Sequence, residues 1–334
     1  MPRNLLDIVE AINSFLYYAD DTQAYVAFMQ DFYYFTIDEY PKSLSYVHSS
    51  IIDNVTWPDC WTIDPVRRTL NLHAPAGSST PFDVRTDLVN DTVARAKKEG
   101  KIKEMTWSGE PMAVYTPDGE HVFNMNNLGS QLLGVISFGV HLIAWTVVDG
   151  KKLYWLQRRS ETRPIHPGKL DTLAGGGIRV GEPIIDAMAR EAFEEASIPK
   201  DFSKSHLRPC GIVSYHLSYS HLNNPGSFPH ALHVFEMELP ADMIPKPNDG
   251  EVSEFVTMPE SEVIAALFRD DFKPIVGIQW VAHFCRTGAL TLENEPRLLE
   301  MCARTHRNLA TFVVQGTSTA SRGRRNHRQP TLAL

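Results

Sequence analysis

The sequence has few cysteines, and they form no pattern. Four cysteines are scattered through 334 residues, and no two of them form a CxxC pair: Cys60, Cys210, Cys285 and Cys302. This spacing argues against a disulfide framework and a cysteine zinc site, and it favours reduced thiols in an intracellular compartment. His166, His216 and His221 show neither HxxxH nor HExxH spacing, which predicts structural or exposed histidines rather than zinc ligands.

Long apolar runs are also missing. No stretch approaches 18 apolar residues, so the sequence predicts no membrane-spanning helix. Residues 1–20 carry Asp7 and Glu10 inside their apolar stretch, which indicates an amphipathic helix rather than a signal peptide. These features predict a cytoplasmic protein without a membrane partner, with the nucleus as the alternative location.

Positive charge is in the minority, with 32 lysines and arginines against 40 acidic residues and a net charge of −8. This balance argues against a nucleic-acid partner, because binding to phosphate backbones requires a basic surface. It leaves a small polyphosphate substrate open, since bound metal ions can invert the local sign of the charge. The sequence also leaves the oligomeric state open, a homodimer included.

Periodicity and composition divide the chain into three parts. Residues 1–130 predict a small α+β accessory domain, with helices near 4–18 and over 83–100 and a hairpin that turns at Pro117-Asp118-Gly119. Residues 131–312 interleave long strands with helices but lack repeated βαβ units, which predicts a mixed β-sheet flanked by helices. Residues 313–334 carry four arginines and no acid, and predict a disordered basic tail.

The residues that suggest chemistry are concentrated in 175–198, GGGIRVGEPIIDAMAREAFEEASI. A glycine turn leads to Glu182, and Pro183 and Pro199 mark the ends of a helix. Three carboxylates lie within about 100° of one another on that helix: Glu191, Glu194 and Glu195. They repel one another, and Arg190 supplies one compensating charge. A divalent cation is the simplest further compensation, and carboxylate oxygens suit magnesium or manganese.

The opposite face of this helix is apolar and predicts core packing: Ile185, Met188, Ala189, Ala192 and Ala196. A solvated face is the alternative interpretation of the acids, but their spacing resembles the Nudix box, G-x5-E-x7-R-E-U-x-E-E-x-G-U. The first glycine and every charged position match: Gly176, Glu182, Arg190, Glu191, Glu194 and Glu195. Ser197 departs from the pattern, which has glycine there. A left-handed backbone at that position would cost serine about 1 kcal/mol.

The resemblance implies a Nudix fold and a metal-dependent diphosphatase with Mg²⁺ or Mn²⁺ as cofactor. The catalytic set that it implies is Arg190, Glu191, Glu194 and Glu195. The implied metal ligands are these three glutamates, with the carbonyl of Gly175 completing the site. Glu182 is expected to brace Arg190 or the glycine loop rather than to bind metal.

A narrower group is similar over more of the chain. RRS at 158–160, HPGKLDTLAGGGI at 166–178 and DGEVSEF at 249–255 resemble Nudix proteins related to the N-terminal part of fungal thiamine pyrophosphokinase. FTIDEYPKSLSYVHSSI at 35–51 is similar to a motif in the domain that precedes their box. This resemblance implies hydrolysis of thiamine diphosphate, or of its oxidised or oxy analogues, to the monophosphate and phosphate.

Other functions stay open beside this one. Nucleoside-diphosphate-linked substrates, such as an oxidised nucleotide or ADP-ribose, are the alternative within the fold. A catalytically inactive Nudix binding protein is an alternative of another class. Isopentenyl diphosphate isomerisation is disfavoured, because the strand before the box, KLDTLAGGG, lacks the cysteine that this chemistry needs.

Polar residues before the box are candidates for binding the substrate: Arg158, Arg159, Lys169 and Asp171. The cations could hold the terminal phosphate with Asp171 paired to one of them, and solvated charges at a strand end are the alternative. Glu251 lies where some Nudix enzymes place a late acid that binds metal or acts as a base; a loop carboxylate is the alternative. Tyr154 or Trp155 could stack on a ring, although core packing is the commoner role.

Overall fold

The computed structural model describes residues 4–74, 80–102, 109–218 and 226–309, and the statements below refer to these ranges. His221 and the predicted basic tail, 313–334, lie outside them. Within the described ranges, no helix combines the length and the apolar character needed to cross a membrane.

The first part of the chain builds a four-stranded sheet. Two helices precede it, α1 Leu5–Ile12 and α2 Thr22–Met29. Its strands lie in the order β2-β1-β4-β3, with β1 and β4 parallel and the other neighbours antiparallel. Their bounds are β1 Phe32–Ile37, β2 Tyr40–His48, β3 Trp61–Asp64 and β4 Thr69–Leu72.

Helices and a hairpin complete this part. The helices are α3 Ser49–Asn54, α4 Pro81–Lys98 and the short α5 Ser130–Leu133, which a 3-10 turn precedes. The hairpin joins β5 Pro111–Tyr115 to β6 His121–Asn126. One buried cluster unites sheet, hairpin and α4, with Phe35, Leu70, Val89 and Phe123 among its members. The predicted helix over 83–100 and the predicted hairpin are confirmed.

The second part builds a seven-stranded mixed sheet. Five strands lie in the order β11-β12-β7-β8-β13, while β10 pairs with β7 and β9 with β8. Strands β7 and β8 turn at Asp149 and Gly150, which both have positive φ, as a two-residue hairpin turn requires. The bounds are β7 Ser137–Val148, β8 Lys151–Arg159, β9 Leu170–Asp171, β10 Ala174–Gly177, β11 Arg208–Leu217, β12 Phe228–Glu238 and β13 Val252–Met258.

Helices cover both faces of this sheet, as the sequence predicted. On one face, Val140 and Leu142 of β7 pack with Met188 and Ala192 of α6. On the other face, Ile143 belongs to a cluster with apolar residues of α1 and α9. The remaining helices are α6 Ile184–Ala196, α7 Lys200–His206, α8 Glu260–Phe268, α9 Pro274–Thr287 and α10 Leu298–Arg304.

Some predicted boundaries are wrong. The helix expected near 4–18 ends at Ile12, because Asn13 leaves the helix and donates its side-chain N–H to the carbonyl of Arg304 at 2.7 Å. Strands β3 and β4 and helix α7 were not predicted, since four to seven residues carry too little periodicity to reveal an element. Ile185, assigned to the buried face of α6, is 38% exposed, whereas Met188, Ala189, Ala192 and Ala196 are fully buried.

The division of the chain at 130 and 312 stays a prediction. The four-stranded sheet and the seven-stranded sheet have separate core clusters, as two domains would. Helix α1, however, belongs to the core of the seven-stranded sheet, because Leu5, Leu6, Val9 and Ile12 are buried there.

Candidate active site

The glycine segment before α6 is a strand and not the turn that we predicted. Strand β10 pairs antiparallel with β7, with Gly175 opposite His141. A side chain at Gly176 would overlap the carboxylate of Glu191, and a Cβ at Gly175 would lie 2.7 Å from the His141 ring. The close approach of these two side chains to the strand backbone favours glycine at both positions. The acids of α6 can therefore lie directly against β10.

Arg190 is the centre of the charged network on α6. Its guanidinium donates to both oxygens of Glu182, at 2.8 and 2.9 Å, to Glu191 at 2.6 Å and to Glu194 at 3.1 Å. It also donates to the carbonyl of Gly177 at 2.9 Å. The prediction that Glu182 braces Arg190 is confirmed. Arg190 thus orders the helix acids and fixes them to the strand that precedes the helix.

Glu195 is held differently. It is 5% exposed, and its Oε2 accepts the backbone N–H of Gly175 at 2.8 Å and the side-chain N–H of Gln157 at 3.3 Å. Among the described residues, no lysine or arginine forms an ion pair with it. Asp249 and Glu251 each bring a carboxylate oxygen into a group with Glu195 whose ligand atoms lie within 4.8 Å of one another.

Helix α6 and the loop before β13 thus meet at this group of carboxylates. Glu251, which the sequence marked as a candidate late acid, lies beside Glu195, and the guanidinium of Arg163 forms an ion pair with it. Asp249 was not predicted, although it stands two residues before Glu251. The carboxylate of Asp249 accepts the backbone N–H of Glu251 at 2.8 Å, within the same loop. The three carboxylates form a compact set of oxygen donors.

The electrostatics of these carboxylates fit a bound cation. Burial raises the pKa of the Glu191 carboxyl to about 7, although Arg190 opposes the rise. Burial, and next the charge of Glu191, raise the pKa of Glu195 well above its usual value. Partial desolvation also raises the pKa of Asp249, although this residue is largely exposed. A divalent cation would stabilise the ionised forms, and an all-oxygen donor set suits magnesium or manganese.

The four predicted substrate-binding residues are engaged with protein partners. Arg159 and Asp171 are buried and lie 3.4 Å apart, and Lys273 lies 3.3 Å from the same Asp171 oxygen. Arg158 pairs with Glu254 at 2.7 Å, and Lys169 with Asp270 at 3.2 Å. Asp171 therefore does pair with one of the cations. Its partners Lys273, His141 and Arg159 lower the pKa of this buried carboxyl to about 2, against the effect of burial. The substrate-binding roles of the four residues stay predictions.

A contact from the first part of the chain was not predicted. Arg179, between β10 and α6, donates Nε and Nη2 to one oxygen of Glu110 at 2.9 and 2.7 Å. The backbone N–H of Arg179 donates to Glu182 at 3.1 Å. Sequence reasoning had no signal for this pair, because the two residues are separated by 69 positions. This contact brings Glu110 to the edge of the site.

Ser197 occupies the position where the Nudix pattern has glycine. Its backbone is left-handed, with φ 57° and ψ 23°, so the strained conformation considered from the sequence is present. The Ser197 hydroxyl donates to the carbonyl of Lys246 at 3.0 Å. The loop after α6 therefore keeps the usual exit geometry without glycine.

Three of the remaining sequence candidates pack in the core or against it. Tyr154 is buried and donates to or accepts from Nε2 of His283 at 2.9 Å, as a core residue would. Trp155 packs against the cluster under α6. His216 is buried, bonds Ser227 at 2.8 Å and stacks on Phe15, which agrees with a structural role.

Comparison with known proteins identifies the family. Over 242 residues the chain is 31% identical to the uncharacterized protein YJR142W of Saccharomyces cerevisiae, across 69% of this chain and 70% of that protein. A family model described as NUDIX domain matches residues 138–280. The chain belongs to the Nudix family.

Other relatives share a shorter stretch with this Nudix chain. The chloroplastic Nudix hydrolase 20 of Arabidopsis thaliana is 29% identical over 150 residues, which is 45% of this chain and 39% of that protein. Among solved structures, DR0079 from Deinococcus radiodurans matches with a TM-score of 0.37 and 20% identity, across 49% of this chain and 91% of that chain. The predicted Nudix fold is confirmed, and this Nudix protein is a hydrolase of phosphoanhydride bonds. Nudix hydrolases generally use divalent metal ions.

Proposed function

We propose that this Nudix hydrolase is a metal-dependent diphosphatase that converts thiamine diphosphate, or an oxidised or oxy analogue, to the monophosphate and phosphate. The observation that carries the diphosphatase chemistry is the convergence of Glu195 with Asp249 and Glu251, next to the Arg190-ordered acids of α6. The thiamine part of the proposal rests on the resemblance of residues 158–178 and 249–255 to the thiamine pyrophosphokinase-related group.

Among the described residues, the groups proposed to hold the metal lie on α6 and β10 and in the loop before β13. Glu191, Glu194 and Glu195 on α6 are the proposed ligands, together with the carbonyl of Gly175, and Asp249 or Glu251 would add an oxygen from the opposite loop. Bound there, a divalent ion would neutralise the diphosphate oxygens and lower the pKa of a water molecule. The N–H of Gly175 holds Glu195 in the orientation that this requires.

The protein's own groups account for the remaining steps. Water forms a new P–O bond, the bond from that phosphorus to the bridging oxygen breaks, and phosphate departs with the electron pair. Glu251 is the proposed base that accepts the water proton, since its carboxylate lies in the group with Glu195 and is 30% exposed. Arg163 keeps that carboxylate in place through their ion pair. Arg190 keeps Glu191 and Glu194 fixed while charge shifts nearby.

Product identity across a panel of diphosphates tests the substrate. The purified protein would be incubated with magnesium or manganese and thiamine diphosphate, its oxo and oxy forms, ADP-ribose or an oxidised nucleotide. Thiamine monophosphate plus phosphate, formed with the highest kcat/KM of the panel, is the expected result. A higher kcat/KM for a nucleotide would indicate that the substrate is nucleoside-linked and not a thiamine diphosphate.

Matched substitutions on α6 test the site. Glu191→Gln and Glu195→Gln should each lower kcat by more than about 100-fold, because each removes a charge on which the metal depends. Asp186→Asn is the control, since Asp186 lies on the same helix, is 40% exposed and pairs with Lys204. Turnover that survives both glutamine substitutions would refute the proposed metal site. A wild-type protein that binds diphosphates but does not hydrolyse them would instead be an inactive binding protein.

A further inference from the structure

Most cations near the acidic site are committed to protein partners. Arg190 is buried and donates to three glutamates and a carbonyl. Arg159 is buried and donates to the carbonyls of Ile165 and His166 as well as to Asp171. Arg163 has only 9% of its side chain exposed and pairs with Glu251. None of the three can turn toward a diphosphate without breaking contacts in the protein interior.

Arg179 is different because its side chain is 42% exposed at the edge of the same acids. Its Nη2 lies 3.9 Å from Oε2 of Glu194, and its backbone N–H binds Glu182, which holds Arg190. The guanidinium therefore lies beside the proposed metal ligands and faces solvent. A guanidinium in this position matches phosphate oxygens in charge and in its planar arrangement of N–H donors.

Glu110 holds Arg179 in that position. Both Nε and Nη2 of Arg179 donate to the same Glu110 oxygen, which fixes the plane of the guanidinium. Glu110 is itself fixed, because its carbonyl accepts the N–H of Asn127 at 3.0 Å at the open end of the β5–β6 hairpin. Its second oxygen lies 3.8 Å from the place where a side chain on Gly177 would begin. Glu110, which directly precedes the β5–β6 hairpin and lies outside residues 138–280, the NUDIX match, thus lies close to the glycine strand.

We propose that Arg179 binds a non-bridging oxygen of the substrate diphosphate and that Glu110, from the part of the chain before the NUDIX match, is the positioning residue that orients it. This inference rests on the proposed function, because it names the residue that receives the diphosphate at that site. It gives Glu110, at the start of the preceding hairpin, an indirect role in substrate binding through Arg179.

Binding of methylene diphosphonate, a diphosphate that cannot be hydrolysed, tests the inference in the full-length protein with magnesium. Arg179→Ala should weaken binding about 10- to 100-fold, the usual size of a charge-assisted hydrogen bond to phosphate. Glu110→Ala should weaken it about 3- to 10-fold, since the guanidinium then loses its orientation. Glu110→Gln should stay within about twofold of wild type, because the amide oxygen still accepts from Arg179.

The double variant separates positioning from a general structural effect. In an Arg179→Ala background, Glu110→Ala should have no further effect on affinity, whereas independent residues would give additive losses. Lys204→Ala and Asp186→Ala, which remove an exposed ion pair at 2.6 Å on α6 and α7, should leave affinity and Tm unchanged. Tm is measured for every variant, and one that melts like wild type yet binds weakly supports the assignment.

Distinct results would overturn each part. Unchanged affinity in Arg179→Ala refutes the phosphate contact, and affinity in Glu110→Ala that equals or exceeds wild type refutes the positioning role. For active wild-type protein, the expected kinetic result is a raised KM with kcat nearly kept in both alanine variants. Should the wild type hydrolyse no diphosphate, the proposed function fails, and the binding measurements still decide on Arg179.

Discussion

Metal binding should depend on pH because the helix acids are buried. Glu191 has a pKa of about 7 without metal, so it is mostly protonated at about pH 6 and mostly ionised at about pH 8. A metal ion binds the ionised form and must displace the proton. Glu191 alone therefore makes the apparent affinity for Mn²⁺ about tenfold weaker at the lower pH. The raised pKa of Glu195 acts in the same direction.

Titration calorimetry measures this effect directly. Mn²⁺ is titrated at both pH values in two buffers of different ionisation enthalpy, so that the heat reports the protons released. We expect at least part of a proton released per ion near pH 6 and a tighter Kd near pH 8. Glu191→Gln should reduce the pH dependence without abolishing it, because Glu195 still releases a proton, and Asp186→Asn should leave it as in the wild type. A Kd that does not change with pH, or proton release in Glu191→Gln that equals that of the wild type, would refute the assignment.

The same pKa shift predicts the pH dependence of stability without metal. Glu191 titrates at about 7 in the folded chain against 4.5 in the unfolded one, so the folded state binds the proton more tightly. The contribution of this carboxyl to the free energy of unfolding is most favourable below the unfolded pKa of 4.5. It is lost as the pH rises through the folded pKa of about 7. The difference amounts to about 3 kcal/mol. Adding Mn²⁺ at about pH 8 should restore Tm, because the ion replaces the proton.

Three further substitutions test the geometry. Ser197→Gly should raise the free energy of unfolding by about 0.5–1 kcal/mol in urea titration, because glycine relieves the left-handed backbone although an exposed hydrogen bond is lost. The control Ser205→Gly, in helix α7, should lower the free energy of unfolding. Gly176→Ala should lower turnover and weaken metal binding, because the Glu191 carboxylate must move away from the new methyl; unchanged Mn²⁺ affinity would contradict this. Asp171→Asn should lower the free energy of unfolding by about 3–5 kcal/mol, measured by thermal unfolding, because Arg159 and Lys273 lose their shared anion. The lowered pKa of Asp171 predicts that the wild type keeps this stabilisation above pH 3.8 and loses it as the pH falls toward about 2.

Local patterns predicted the box and the large elements well. The periodicity of 3.6 residues and the flanking prolines located α6, and the contact of Glu182 with Arg190 followed from the matched spacing. The hairpins were visible because Asp149-Gly150 and Asp118-Gly119 are strong turn signals. These features depend on residues that are neighbours in sequence.

Long-range contacts could not be predicted in this way. Three glycines suggested a flexible turn, but they pair with β7 as a strand, and the close contact of Gly176 with Glu191 favours glycine there. Arg158 and Lys169 were predicted as phosphate-binding candidates, and no local pattern revealed that they pair with Glu254 and Asp270. Partner choice depends on tertiary structure, and a single sequence does not encode it in any local pattern.

The packing of the first helix has a consequence for dissecting the protein. Leu5, Leu6, Val9 and Ile12 fill the same apolar layer as Trp280 and Phe284 of α9, and Asn13 and Phe15 bond α10 and β11. A fragment that starts at residue 131 would therefore leave an exposed hydrophobic surface on α9 and would be prone to aggregate. A fragment that carries the hydrolase region should therefore also include residues 4–16, because α1 shares one interior with α9 and α10.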